Sequence, residues 1–335
     1  FFKRKRLKFL DDHTYLSRNM VVDSHTQEFY DKFLSTLNLK DMSQYPDLWK
    51  TYDKLSNFLS LDHDNILITR GVEGAIKQVF DNLKFKRNAI GIISPTYAMY
   101  EVYARSKNID VKKISGEKPE YKISIEKVKA LASEVDVIFL DNPKSHIPHY
   151  FEKNEIDEIL QFCQNNGTIL FLDEVYVGWE SDTYLNHSQV ANNLIVSSGL
   201  SKIGFPSFKA GWLVTNKNLK KILESNRSSY ELNYFACKGI EFIIDNIDYV
   251  EDLKDNLLNT KKRWISKLKN SNKFKIYDSK NYVIRAYSED SRIAKTAFEE
   301  LKSEKIIVGL VDECNLVFSV TNCHDIENKI IKALK

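Results

Sequence analysis

The sequence predicts an α/β fold in two lobes: a large lobe on a mostly parallel sheet with helices on both faces, and a smaller C-terminal α/β lobe. In the first two thirds of the chain, apolar runs of strand length alternate with helical patterns, which favours parallel strands joined by right-handed crossovers. Beyond about residue 217 the pattern changes to long helical stretches followed by short strands. The chain has 335 residues and is 43% hydrophobic, enough for more than one core. The predicted units are an N-terminal arm over 1–45, a large domain over 46–240 and a small domain over 241–335.

The strands of the large domain are predicted from short apolar runs bounded by turn residues. The run over 135–141 is nearly all apolar, as expected for a strand covered on both faces. The predicted strands are 65–69, 89–94, 135–141, 168–176, 194–199 and 210–215. A long helical region is predicted over 219–246 and on to 271, whereas residues 1–45 read as irregular. In the small domain, strands are predicted at 273–279, 281–288, 305–311 and 315–321, with helices at 291–304 and 325–335.

Charge and cysteine content exclude several classes of function. The 49 basic and 46 acidic residues give a net charge of +3, which offers no reason to expect a nucleic-acid or membrane partner. No apolar run approaches the roughly 20 residues of a membrane span. The four cysteines, Cys163, Cys237, Cys314 and Cys323, have no metal-ligand spacing and look like reduced residues of a cytoplasmic protein.

Polar and charged residues gather where the predicted strands end. Because ligands of parallel sheets bind beyond the carboxyl ends of the strands, we expect these residues to meet at one crevice. The first strand runs into a glycine turn at a helix N-terminus, which is a phosphate-binding arrangement. The residues concerned are Gly71, Val72 and Glu73 in that turn, Tyr97, Asn142, Asp173, Tyr176, Ser201 and Lys202. Each feature also has an ordinary structural explanation, such as a packed surface tyrosine or a common glycine turn.

Taken together, these residues meet the requirements of one cofactor. Asp173 ends an apolar strand, where a carboxylate is costly to desolvate unless a cation pairs with it. Lys202 lies in apolar surroundings that favour a nucleophilic amine. An imine-forming lysine, a carboxylate for a pyridinium nitrogen and an anion site are what pyridoxal 5'-phosphate needs.

Essentially the whole chain resembles the fold-type I pyridoxal-phosphate aminotransferases, and within them the histidinol-phosphate aminotransferase-like group. The motifs QYPD (44–47), TRGVEGAI, PTYAMY, DEVY and SKIGFPSFKAGW carry the resemblance in family order. The resemblance implies that Lys202 is the Schiff-base lysine, Asp173 the pyridinium partner and Tyr176 the contact of the ring oxygen. It also implies phosphate contacts from Ser201 and from Lys209, which stands where the family has an arginine. A homodimer with shared active sites is implied too, with Tyr45 reaching the cofactor phosphate of the partner subunit.

The sequence departs from the family pattern in two places. The asparagine motif reads DNPKSHIPHY, so either Asn142 or Ser145 takes the role beside the ring hydroxyl. The two arginines usual in the C-terminal lobe would fall at Gly309 and at Val317 or Phe318, and no Arg or Lys occurs between Lys305 and Lys329. The second of these arginines normally holds the substrate carboxylate as a bidentate pair. The substitutes considered are Arg18, Arg70 and Arg285.

The missing arginines bear on the reaction. In pyridoxal chemistry the bond perpendicular to the ring breaks, so a carboxylate held near the ring plane favours transamination and an unheld one favours decarboxylation. The leading expectation is therefore decarboxylation of a small amino-acid phosphate, of the serine- or threonine-phosphate type. The alternative, by a narrow margin, is an aminotransferase of the histidinol-phosphate type acting on a small phosphorylated or sugar-derived ketone or amine. A non-catalytic protein of the same fold is a remote third.

Overall fold

A computed structural model describes residues 9–10, 12–22, 25–144, 146–147, 149–177 and 179–335. The strands are β1 (Thr14–Tyr15), β2 (Ile66–Thr69), β3 (Ala89–Ser94), β4 (Asp110–Ser115), β5 (Val137–Asp141), β6 (Ile169–Asp173), β7 (Leu194–Gly199), β8 (Gly211–Val214), β9 (Lys275–Tyr277), β10 (Val283–Tyr287), β11 (Ile306–Ile307), β12 (Gly309–Asp312) and β13 (Asn315–Ser319). The helices are α1 (Gln27–Ser35), α2 (Leu48–Leu59), α3 (Gly71–Asn82), α4 (Met99–Ser106), α5 (Ile125–Ala132), α6 (Lys153–Asn166), α7 (Leu185–Ser188), α8 (Lys217–Leu223), α9 (Tyr234–Asp245), α10 (Ile247–Leu268), α11 (Ser291–Ser303) and α12 (His324–Leu334).

The large domain is built on a seven-stranded sheet in the order β2-β8-β7-β6-β5-β3-β4. Strand β8 runs antiparallel to both of its neighbours, and the other pairs are parallel. The mostly parallel sheet expected from the sequence is therefore confirmed. Strand β4 was not predicted, because it is an edge strand whose residues are largely exposed and polar.

Helices cover both faces of this sheet, as the nearly continuous apolar strands require. Alternate residues of one strand enter different cores: Ile138 packs with α5 and α6 on one face, whereas Phe139 packs with α3, α4 and α8 on the other. The carboxyl ends of β5, β6 and β7 lie side by side, since Asp141 pairs with Asp173 and Asp173 with Ser197. This register brings the predicted site residues to one edge.

The second sheet is antiparallel, in the order β12-β13-β10-β9. Its core includes Trp264 of α10, Leu301 of α11 and Ile330 of α12. Residue 240, the predicted end of the large domain, falls inside α9, and α9 and α10 meet at Asn246. The position of the domain boundary stays a prediction.

Two segments differ from the predicted pattern. The N-terminal segment is not irregular throughout, because it contains α1, which buries Phe29 and Phe33, and β1, which pairs with β11. The helical region predicted from residue 219 onward is three helices, α8, α9 and α10, separated by a non-helical stretch over 224–233. Asn233 caps α9 by accepting a hydrogen bond from the Ala236 amide, which explains why helix resumes there. No helix in the described part of the chain is long and apolar enough to cross a membrane.

Candidate active site

Lys202 lies in a short 3₁₀ turn, Leu200–Ile203, directly after β7. Its amine donates a hydrogen bond of 3.0 Å to the Arg18 carbonyl and lies 5.7 Å from the centre of the Tyr176 ring. Burial lowers the pKa of Lys202 to about 8, with the nearby charge of Lys209 acting in the same direction and that of Asp173 opposing it. An amine with such a pKa has a usable neutral fraction near neutral pH, as a nucleophile or base requires.

Closely approaching glycines shape the loop that carries Lys202. A Cβ at Gly199 would lie 2.8 Å from the Ala210 carbonyl oxygen, and one at Gly211 would lie 2.8 Å from the Gly71 Cα. These contacts hold the loop between β7 and β8 against the glycine turn that opens α3. Gly71 itself has a φ of +67°, in the left-handed region that favours glycine.

The predicted phosphate residues are brought together at this turn. Gly71, Val72 and Glu73 form the first turn of α3, where backbone N–H groups are available to an anion. The exposed Lys209 amine lies 3.2 Å from the Glu73 carboxylate. Ser201 lies in the same loop as Lys209, next to Lys202. The contacts of these residues with a phosphate stay predictions.

Asp173, at the end of β6, is almost fully buried. Its Oδ2 accepts a hydrogen bond of 2.6 Å from the Tyr100 hydroxyl, and its Oδ1 accepts one of 3.1 Å from the Val175 amide. Burial raises the pKa of Asp173 to about 6, opposed by the Tyr100 hydrogen bond and assisted by the charge of Asp141. A buried carboxylate of this kind is stabilised by a cation, and a pyridinium nitrogen would provide one.

Tyr176 is buried, and its hydroxyl oxygen accepts a hydrogen bond of 2.7 Å from the Asn19 side-chain amide. Burial raises the pKa of Tyr176 well above its ordinary value, so its phenol keeps its proton. Tyr97 follows β3 and is 37% exposed, with its ring edge-on to Tyr100 at 5.8 Å. Tyr97 therefore has exposed surface on which a cofactor ring could stack, and that stacking stays a prediction.

The two candidates for the asparagine role fare differently. The Asn142 side chain is buried and exchanges two hydrogen bonds of 3.0 Å with the backbone of Phe151. These two bonds tie Asn142 to Phe151 and engage both polar atoms of its side chain, and a contact between Asn142 and a ring hydroxyl stays a prediction. Ser145 lies outside the described residues.

Sequence reasoning missed several polar residues at this edge. The Lys144 amine is fully buried and bonds to the Asp141 carboxylate at 2.6 Å and to the Ile93 carbonyl at 2.9 Å. Burial lowers the pKa of the neighbouring His146, which is also influenced by the charges of Asp141, Lys144 and Lys202. The sequence signal for Lys144 was the departure DNPKSH itself. Tyr100 was also visible, three residues after Tyr97 in PTYAMY.

The three arginine candidates have different surroundings. The Arg18 guanidinium lies over the Phe9 ring at 4.0 Å, and Arg70 Nε donates to the Glu231 carbonyl at 3.0 Å. Arg285 is 3% exposed, and its three guanidinium nitrogens have no hydrogen-bond partner among the residues that the structure describes. Burial lowers the pKa of Arg285, and the rings of Tyr277 and Tyr121 lie 4.1 Å and 5.5 Å from its guanidinium carbon.

Comparison with known proteins now decides the family. The family model described as aminotransferase class I and II matches residues 14–323. The chain belongs to this family. The resemblance drawn from the motifs and the fold-type I architecture are thereby confirmed.

Individual relatives of this class I and II aminotransferase are distant. The histidinol-phosphate aminotransferase of Clostridium novyi is 23% identical over 278 residues, covering 79% of this chain and 75% of that protein. The histidinol-phosphate aminotransferase of Sinorhizobium meliloti, solved with pyridoxal-5'-phosphate, superposes with a TM-score of 0.83 at 14% identity, covering 96% of this chain and 89% of that one. The L-threonine-O-3-phosphate decarboxylase of Porphyromonas gingivalis superposes with a TM-score of 0.80 at 19% identity, covering 96% and 98%.

Pyridoxal phosphate is the cofactor of this aminotransferase-family protein, and the residues present fit it. The half-buried amine of Lys202, the buried carboxylate of Asp173 and the glycine turn at Gly71 would supply the covalent link, the ring partner and the anion site. Among the residues that the structure describes, no group of His, Cys, Asp or Glu could hold a metal ion.

Proposed function

We propose that this protein is a pyridoxal-phosphate-dependent aminotransferase acting on a small amino compound, whose carboxylate is held by Arg285. The position of Arg285 carries the proposal. Val317 is the first of the two positions where the family pattern expects the carboxylate-binding arginine. Arg285 on β10 lies directly opposite Val317 on β13, and Val317 in turn lies opposite Gly309 on β12.

Residues that are directly opposite in neighbouring strands point to the same face of a sheet. A guanidinium at 285 therefore projects from the same face as a side chain at 317, one strand away. Since strands are about 4.8 Å apart, a long arginine side chain can cover that offset. The arginine function is thus retained on a neighbouring strand.

The surroundings of Arg285 favour a ligand role over a structural one. A buried charge without a partner is strongly unfavourable. The aromatic rings of Tyr277 and Tyr121 offset part of that cost, but rings supply no hydrogen-bond acceptors in the guanidinium plane. A carboxylate would satisfy the guanidinium with two parallel hydrogen bonds.

A small cavity lies beside Arg285. Its lining includes Arg285, Val317, Lys144 and His146, and the charge of Lys202 acts on His146. The cavity is only about 10 Å³, which is room for roughly one water molecule. Binding of a carboxylate therefore requires the small domain to shift, as is common when substrates enter sites between domains.

The chain's residues then have defined tasks. The bound cofactor serves as an electron sink for the carbon that carries the amino group. Asp173 would pair with the ring nitrogen, and Tyr176 would donate a hydrogen bond to the ring oxygen. Arg285 would bind and orient the substrate carboxylate, which favours loss of the proton over loss of carbon dioxide. Lys202 Nζ moves that proton, a task suited to an amine with a pKa of about 8.

A phosphorylated substrate is supported by the curated relatives, which are named histidinol-phosphate aminotransferases. Decarboxylation of an amino-acid phosphate is the second candidate. It is favoured by the absence of any arginine at Gly309, Val317 and Phe318, and by the similar fold of a threonine-phosphate decarboxylase. Amino transfer is preferred because Arg285 supplies what those positions lack.

A homodimer with shared active sites is part of the proposal. Tyr45 is 77% exposed, stacks on Tyr230 at 4.2 Å, and lines a cavity of about 390 Å³ with Arg70, next to the phosphate turn. Leu39 and Trp49, close to Tyr45 in the sequence, are 77% and 70% exposed, and a partner subunit would cover such side chains. A cytoplasmic location, expected from the four free cysteines, stays a prediction.

The test uses the cofactor-loaded protein. Incubation with glutamate and no acceptor should release about one 2-oxoglutarate per active site, and Lys202→Ala should release none. Histidinol phosphate with 2-oxoglutarate, and separately phosphoserine with 2-oxoglutarate, then probe the phosphorylated partner. Carbon dioxide and ethanolamine phosphate from phosphoserine without any keto acid would establish decarboxylation instead.

A further inference from the structure

We infer that Asn19 is a positioning residue that fixes the direction of the Tyr176 hydroxyl, so that the phenol donates its hydrogen to the cofactor. The inference rests on the cofactor site and holds for amino transfer and decarboxylation alike. It concerns a short segment before α1, residues 14–20, which we call the strap.

The strap is held by the small domain. The amides of Leu16 and Ser17 both donate to the Ile307 carbonyl at 2.9 Å. The Ser319 amide donates to the Leu16 carbonyl at 3.1 Å, and the Ser319 hydroxyl donates to the Met20 carbonyl at 3.0 Å. These bonds fix the strap to β11 and to the carboxyl-terminal end of β13.

Successive residues of the strap contact two of the three predicted catalytic side chains, Lys202 and Tyr176. The Arg18 carbonyl accepts from the Lys202 amine at 3.0 Å. The Asn19 side-chain amide donates to the Tyr176 hydroxyl at 2.7 Å, and the Asn19 carbonyl accepts from the Tyr282 hydroxyl at 2.6 Å. Asn19 thus joins a tyrosine of the small domain to one of the large domain.

The conformation of Asn19 suits this task. Its φ of +49° lies in the left-handed region, which asparagine tolerates better than most residues with side chains. It is 5% exposed, so water does not compete for its amide. The side-chain N–H group of Asn19 occupies one acceptor position of the Tyr176 oxygen.

The hydrogen bond from Asn19 determines the direction in which the hydroxyl hydrogen of Tyr176 points. A hydroxyl has one hydrogen and two acceptor positions, and an N–H group can use only the latter. The charged or titratable groups acting on the Tyr176 phenol are Asp173 and Asp141, with the Lys202 amine over its ring, and Tyr282 is close by. With Asn19 as donor from the strap side, the hydrogen of Tyr176 is left to point into the crevice, where the cofactor ring oxygen is expected.

The test is a double-mutant cycle read by spectroscopy. Asn19→Gly removes the side chain without backbone strain at a positive φ, and Tyr176→Phe removes the hydroxyl. The readout is the pH midpoint of the absorbance change of the bound cofactor. A donor to the ring oxygen stabilises the high-pH form, in which that oxygen is more negative, so losing the donor raises the midpoint. We expect a rise of about one pH unit for Tyr176→Phe and about half a unit for Asn19→Gly.

In the double variant, the pH midpoint should equal that of Tyr176→Phe alone. The effect of Asn19 on the midpoint requires the Tyr176 hydroxyl, which the phenylalanine lacks. Asn65→Ala is the matched control: Asn65 is also buried and its amide donates to the Thr215 carbonyl at 2.8 Å. This control should lower the melting temperature and leave the midpoint unchanged. The inference is overturned if Asn19→Gly keeps the wild-type midpoint, or if its shift is equally large in the Tyr176→Phe background.

Discussion

Replacing Arg285 by methionine should make the protein more stable and less active. Methionine retains most of the apolar volume of arginine and removes a buried charge. In the described part of the chain, the guanidinium of Arg285 makes no hydrogen bond that the change would break. Arg87 is the matched control, because its Nη1 donates to the Val135 carbonyl at 2.8 Å and its Nη2 to the Asn166 carbonyl at 2.6 Å.

The stability change follows from two opposing contributions. Replacing buried charged groups by packed apolar residues stabilises proteins by about 1–4 kcal/mol. The cation over the Tyr277 ring at 4.1 Å is lost, which costs about 0.5–2 kcal/mol. The midpoints of these two ranges leave a net gain of roughly 1 kcal/mol for Arg285→Met, a rise of about 1–2 °C in melting temperature. Arg87→Met should instead destabilise the protein, because each lost hydrogen bond to a charged group costs about 1.5–3 kcal/mol.

The activity change has the opposite sign. Removing one partner of a buried charge pair in a complex costs about 2–5 kcal/mol, which corresponds to a fall in kcat/KM of roughly 30- to 5,000-fold. Melting temperature by scanning fluorimetry and glutamate-dependent release of 2-oxoglutarate measure the two effects. If Arg285→Met lowers the melting temperature as Arg87→Met does, or keeps the activity of the wild type, Arg285 is a structural residue and the reasoning fails.

Three further predictions concern Lys202 and Tyr45 of the cofactor site and Glu174, a buried residue next to Asp173 whose carboxylate accepts hydrogen bonds from Thr183 and Tyr184. Lys202→Ala should abolish the visible absorbance of covalently bound cofactor, and an unchanged spectrum would show that another lysine forms the link. Tyr45→Ala should raise the Kd for pyridoxal phosphate by roughly 10- to 100-fold, the loss of one bond to a charged group; an unchanged Kd in a titration would exclude Tyr45 from the phosphate site. Burial raises the pKa of Glu174 from 4.5 to about 8, so the stability it contributes is complete below 4.5 and lost as pH rises through 8. In Glu174→Gln, the melting temperature should therefore fall less steeply between about pH 5 and about pH 9 than in the wild type. An unchanged slope of melting temperature against pH would contradict the raised pKa of Glu174.

Much of the fold could be predicted because its strands are fully buried. β5 and β6 are apolar on both faces, and the sequence places them to within a few residues. β4 was missed for the opposite reason, since Lys112 and Lys113 leave an edge strand with little apolar signal. The break over 224–233 was missed although its Ser and Asn residues are a loop signal, because the apolar helical patterns on both sides were joined across it.

Site residues at strand ends were predictable because a parallel sheet fixes where its carboxyl ends meet. Lys202 and Asp173 follow from that rule and from their apolar neighbours. Asn19 does not, because its partners Tyr176 and Tyr282 are 157 and 263 residues away and no local pattern encodes the pairing. The sequence identified Arg285 only as one of three candidates for binding the substrate carboxylate. The sequences of β10 and β13 do not reveal which of their residues lie opposite each other.

The charges around Arg285 also discriminate between the groups of a phosphorylated substrate. The charge of Lys144 is neutralised by Asp141 at 2.6 Å, and burial lowers the pKa of His146, which leaves that ring neutral. The cavity therefore offers a single positive charge, that of Arg285, with no hydrogen-bond partner among the described residues. One guanidinium balances a carboxylate but leaves a phosphate dianion with excess charge in a site of low polarity. A substrate phosphate would therefore bind elsewhere in the crevice. Arg285 would hold the substrate carboxylate, and the orientation of that carboxylate decides between amino transfer and decarboxylation.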